Sequence, residues 1–65
     1  MSKSLDEQIE DVFRKYQKSL SSSTISVLLN KDIRRVEKRL ESMHRFRRIK
    51  PITAKKVRFW KLNSE

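Results

Sequence analysis

DIRRVEKRLESMHRF, residues 32–46, reads as a helix whose two faces need different surroundings. Ile33, Val36, Leu40 and Met43 recur at helical spacing, so at about 100° per residue they form one apolar stripe. Arg34, Arg35, Lys38 and Arg45 fall on the far side of the wheel, with Arg39 on the flank of the stripe. A helix seated by that stripe turns its cations outward, which suits a polyanionic partner.

The charge of the whole chain repeats this asymmetry. Of the 65 residues, 1–30 balance Lys3, Arg14, Lys15 and Lys18 against Asp6, Glu7, Glu10 and Asp11. The net +9 therefore belongs to residues 31–65, where only Asp32, Glu37, Glu41 and Glu65 oppose the Lys and Arg side chains. Nucleic acid or an anionic surface is the expected partner, and simple solubilisation the bland alternative. The length fits one small domain over 1–65, close to the size at which a single core only just offsets chain entropy. With no Cys there is neither a disulfide framework nor a thiolate metal site, which favours an intracellular chain. No apolar run approaches the roughly 20 residues of a membrane span, so a soluble, cytoplasmic protein without a membrane partner is expected.

Three helical segments and a hairpin follow from the pattern. Ser4 and Glu7 make a capping box, and Leu5, Ile9, Val12, Phe13 and Tyr16 then carry a helix over about 5–17. Its carboxylates, early in the helix, and its cations, late in it, complement the helix dipole and are read as structural. The Ser-rich stretch after Ser19 has Leu20 in its middle, a brief extended piece able to pair with a strand. Ser22, Ser23 or Thr24 can cap a second helix over about 23–30 with Ile25, Leu28 and Leu29 inward. Asn30-Lys31-Asp32 breaks it, and either Asn30 or Asp32 can cap the long helix over about 32–46. The period then drops to two, giving strands over about 47–52 and 57–62 around the connection Thr53-Ala54-Lys55-Lys56. Pro51 confines the first strand to an edge; Trp60 and Leu62 should face the core and Val57 and Phe59 the other side. Asn63-Ser64-Glu65 reads as a frayed end.

Helix, extended piece, helix, tight turn, basic helix and hairpin is an order that resembles the winged helix-turn-helix domains of small bacterial and archaeal, including archaeal viral, transcriptional regulators. The resembling segments are SSTISVLLN, DIRRVEKRLESMHRF with its RRVEKRLE block, and the strands RRIKPI and VRFWKL, which end on Trp60-Lys61-Leu62. The fold it implies is α+β, mainly α, with a C-terminal wing. Neither the turn after the second helix nor the wing tip has a Gly, and Asn30 is the residue best able to take a left-handed turn.

The same resemblance implies sequence-specific double-stranded DNA binding and transcription regulation. The recognition helix would enter the major groove, with Arg34, Arg35 and Lys38 at base edges and Arg39 and Arg45 at phosphates. Lys31 and the second-helix cap of Ser22, Ser23 and Thr24 would position the backbone. Lys55 and Lys56 at the wing tip, with Arg47, Arg48, Lys50 and Arg58 on its strands, would add phosphate contacts. Such regulators often dimerise, and here helix 1 or the last strand would have to make a homodimer. RNA binding through the same surface, and a protein-interaction module using Phe59, Val57 and helix 1, are the competing functions.

An enzyme is not expected, since no nucleophile constellation or phosphate loop is present, and neither a cofactor nor a small-molecule ligand is called for. His44 stands alone, without Cys or a carboxylate cluster, and is read as a half-buried residue near the helix end rather than a metal ligand. Glu37 and Glu41 are expected to pair locally, Glu41 with Arg45 one turn on.

Overall fold

Side chains that compete with the backbone set the helix boundaries, and the computed structural model, which describes residues 3–63, has the expected helices nearly residue for residue. Helix α1 spans Leu5–Tyr16. The Ser4 side chain accepts the Glu7 N–H at 3.3 Å while Glu7 accepts the Ser4 N–H at 3.0 Å, the reciprocal capping box that the spacing implied. Helix α2 is Ser22–Leu29 and α3 is Ile33–Arg45. Asp32 caps α3 by accepting the Arg34 N–H at 2.8 Å. The cap of α2 differs from expectation: it is Ser21, accepting the Thr24 N–H at 3.3 Å, so Ser22, Ser23 and Thr24 form the first turn instead. The reason lies one residue earlier, because Leu20 is held extended and the chain can turn helical immediately after it.

Leu20 is held by Trp60. Its N–H donates to the Trp60 carbonyl at 2.8 Å and its carbonyl accepts the Trp60 N–H at 2.7 Å, an antiparallel bridge to the hairpin. The hairpin itself consists of β1, Ile49–Ala54, and β2, Val57–Leu62, paired from Ile49↔Leu62 to Ala54↔Val57. Because both backbone groups of Trp60 point to Leu20, Pro51 sits opposite Trp60 at a position where β2 offers it no hydrogen bond. Its missing N–H therefore costs the ladder nothing, and β1 is the edge strand that Pro51 required.

Both ends of β1 lie later than the sequence pattern placed them. Arg47 and Arg48 are not strand residues but the ending of α3: Arg47 takes φ 61°, its N–H donating to His44 O at 2.9 Å and that of Arg48 to Met43 O at 2.9 Å. Thr53 and Ala54 belong to β1, leaving Lys55-Lys56 as a two-residue loop with φ 50° and 65°. Positive φ at both residues is the type I′ habit, whose twist matches that of the strands it joins. Asn63, expected to fray, instead continues the pairing, its N–H donating to Arg48 O at 3.0 Å and its side chain to Arg47 O at 3.1 Å. Ser64 and Glu65 lie outside the described residues.

The core gathers Ile9, Val12 and Phe13 of α1, Leu20, Ile25 of α2, Val36, Leu40 and Met43 of α3, and Ile49 and Trp60 of the hairpin. Full burial of one such aliphatic side chain contributes about 1.5–3 kcal/mol. Four expectations fail at its margin, and the first is Tyr16, the last residue of the α1 stripe, which is exposed at the helix end. Ile33, the first residue of α3, is 38% exposed. Leu28 joins Val27 on the uncovered side of α2, where only Ile25 is fully buried. His44 is exposed rather than half-buried, its ring edge-on to Trp60 at 5.5 Å between centroids. Three helices followed by an antiparallel hairpin, mainly helical α+β, give a winged helix-turn-helix layout. No helix among the described residues is long and apolar enough to cross a membrane.

The chain contains no Gly, yet Gln17, Asn30, Arg47, Lys55 and Lys56 all take left-handed backbone. Asn30 does so as expected, at φ 54°, with its N–H on Val27 O and that of Lys31 on Ser26 O. For the others a Cβ crowds the following carbonyl, a cost of about 1–2 kcal/mol each that Gly would not incur. Gln17→Gly should therefore stabilise the chain by about 0.5–1 kcal/mol once the greater freedom of Gly in the unfolded chain is subtracted. Urea unfolding followed by circular dichroism checks this, and an unchanged midpoint would show that the site carries no such strain.

Candidate nucleic-acid interface

Burial of one stripe of α3 decides what the opposite side can do. Val36, Leu40 and Met43 are sealed against the other elements, so Arg34, Lys38 and Arg45 lie along the outermost line of the helix. All three are exposed, as is Arg35 on the side nearer α1. Lys31 sits in the turn before α3, its backbone fastened by its own N–H to Ser26 O at 3.0 Å and by the Ser26 hydroxyl to Lys31 O at 2.9 Å. Among the described residues no carboxylate pairs with Lys31, Arg34, Arg35, Lys38 or Arg45.

Other cations of the expected set have internal partners. Arg39 reaches Asp6 of α1 with both ends of its fork, Nε to Oδ1 at 2.6 Å and Nη2 to Oδ2 at 2.8 Å. Arg48 spans the same helix, 2.5 Å from Glu10 and 3.8 Å from Asp6. Glu10 is itself a buried carboxylate, 3.5 Å from Arg14 as well. Arg58 of β2 pairs with Glu41 of α3 at 3.3 Å and lies over the Trp60 ring. These pairs fasten α3, its exit and the wing to their neighbours, and they were not legible beforehand. The one available signal was that Asp6 and Glu10, four residues apart, share a face of α1 beside Ile9 and Phe13.

Glu41 was expected to pair with Arg45 but takes Arg58 instead, because β2 crosses beside α3. Glu37 likewise finds no partner on its own helix and accepts the Ser22 hydroxyl of α2 at 3.2 Å. The two carboxylates thus line a cleft between α2, α3 and β2, with Lys38 beside them on α3 and Arg58 reaching in from β2. Ser22 is engaged there, while Ser23 and Thr24 remain exposed in the first turn of α2, each beside the Ser21 hydroxyl.

On the wing, Lys55 and Lys56 occupy the tip and Lys50 is exposed on β1; Lys50, and Arg47 at the exit of α3, have no carboxylate partner among the described residues. Phe59 is half-buried and Val57 exposed on the face away from Trp60. Lys61 was overlooked in the sequence, although strand alternation places it directly across from Lys50. The free cations thus run from the α2–α3 turn along α3 to its exit and onto the hairpin.

Comparison with known protein families, with curated proteins and with solved structures yields no match to this chain.

The Asp6 carboxyl is held below its ordinary range, first by the hydrogen bonds from Arg39, against the opposing effect of burial, and then by the charges of Arg39 and Arg48. A carboxylate with a depressed folded-state pKa stabilises the fold above its unfolded value and loses that contribution as pH falls through the folded one. Asp6→Asn should therefore destabilise the chain at neutral pH, and the gap to the parent should close as pH drops below about 4. Paired urea titrations at several pH values test this; a gap independent of pH would assign the loss to packing instead.

Proposed function

We propose that this chain is a double-stranded DNA-binding protein that reads sequence with α3 and acts in transcription regulation. The observation that carries the reading is the line of Arg34, Lys38 and Arg45 on the outermost side of α3, unpaired with any carboxylate among the described residues. A B-form major groove admits one α-helix, and Arg presents a two-pronged donor to guanine O6 and N7. Arg34, Arg35 and Lys38, in the first half of α3, are the base-reading residues on this reading. Arg45, Arg47 and Lys50 follow toward the flanking phosphates. Lys55 and Lys56, on a tight loop at the end of the hairpin, meet the next stretch of backbone. Lys31 and the hydroxyls of Ser23 and Thr24 supply donors at the other edge.

The division among the cations matters to the mechanism. Arg39, Arg48 and Arg58 serve as braces, since a phosphate would first have to displace Asp6, Glu10 or Glu41 from them. Glu37 and Glu41 flank the reading line, repelling phosphate on that side and favouring one register of α3 in the groove.

Fluorescence anisotropy against a labelled random-sequence duplex, over a range of salt, tests the proposal. Six to ten phosphate contacts would weaken binding about 10³–10⁵-fold between 50 and 200 mM salt. Salt-insensitive binding, or a preference for an RNA duplex of equal length, would overturn the reading. Arg34→Ala with Lys38→Ala should then narrow the affinity difference between selected and random duplexes, whereas Lys55→Ala with Lys56→Ala should weaken both alike and flatten the salt slope by about two. Equal behaviour of the two double variants would sink the assignment of reader and wing.

A further inference from the structure

Away from α3, a second surface combines charge with an apolar floor. Between the C-terminal turn of α1 and the end of β2 lies a cleft of about 310 Å³, floored by Phe13 and Leu62 and rimmed by Arg14, Gln17, Lys18 and Lys61. Lys18 and Lys61 are exposed and have no carboxylate partner among the described residues. Independently of the cleft, the strand register sets Lys50 directly opposite Lys61. Like charges facing each other across a ladder destabilise it, and an anion beside them relieves the repulsion. No residue of α3 and neither tip lysine lines this cleft.

We infer that this cleft is a docking site for an acidic peptide segment of a partner protein, one that carries an apolar anchor side chain among Asp and Glu residues. The anchor enters over Leu62, with the edge of the buried Phe13 ring behind it, and the flanking carboxylates meet Lys18 and Lys61. Charge alone would equally suit a second nucleic-acid segment. The apolar floor decides for the peptide, because the phosphate-lined exterior of a duplex has no protruding apolar side chain to bury there. A second copy of this chain is disfavoured by its net charge of +9. Since the cleft and the basic side of α3 share no residue, the chain can hold DNA and the acidic segment together; the inference does not rest on the DNA reading.

The test uses the full chain and a fluorescein-labelled peptide in which one Phe is flanked by Asp and Glu, together with a control in which Ser replaces that Phe. The anchored peptide should bind and shift amide resonances at the end of α1 and along β2, and the Ser control should bind far more weakly. Lys18→Glu, at an exposed position with no carboxylate partner among the described residues, should weaken the anchored peptide about fivefold. The same variant should leave duplex DNA affinity at near-physiological salt within about twofold, because screening there limits its reach to about 8 Å. Equal binding of both peptides, shifts centred on α3, or a DNA affinity that falls as far as that of the peptide would overturn the proposal.

Discussion

Two hydrogen bonds between Leu20 and Trp60 organise this molecule. They join the short connection after α1 to the last strand, so that residues forty apart in the chain become neighbours. With its backbone committed to Leu20, Trp60 is buried by its side chain alongside Met43 and Ile49 in the common core, and β2 becomes the inner strand of the wing. Everything outward follows from this. Pro51 is tolerated opposite Trp60, α2 begins at once after Leu20, and β2 passes close enough to α3 for Arg58 to reach Glu41.

The distribution of charge is a second consequence of the same packing. Over the whole chain the basic excess is large, but α1 does not merely dilute it. Asp6 and Glu10 lie where α1 packs beside α3 and its exit, and they take Arg39 and Arg48 out of the exposed cationic surface. Arg34, Lys38 and Arg45, about half a turn away from the core, keep their charge facing water. A chain with so small a core gains orientation from such pairs more than stability, since partly exposed ion pairs are weak individually. Their value lies in fixing how α3 is rolled, and hence which cations point out.

Turns are closed without glycine. Asn30 ends α2 at the modest cost its side chain allows, while Arg47, Lys55 and Lys56 put basic residues at left-handed positions. At the wing tip two lysines stand where Asn-Gly would fold more easily, so local stability is given up in favour of charge.

Periodicity and capping chemistry by themselves determined the helices, the strand pair, the inward faces built on Ile9, Phe13, Leu40 and Trp60, and the edge position of Pro51. Each is a local property: side-chain direction repeats with the backbone, and a missing N–H excludes a central strand. Tertiary structure alone decided that Ile33 stays exposed, that Ser21 rather than its successors caps α2, that Arg47 ends a helix instead of starting a strand, and that Glu41 finds Arg58. It alone separated bracing arginines from free ones. The physical reason is that a repeat says which way a side chain points but not what stands there. Asp6 and Arg39 meet across 33 residues only because the core packs α1 beside α3.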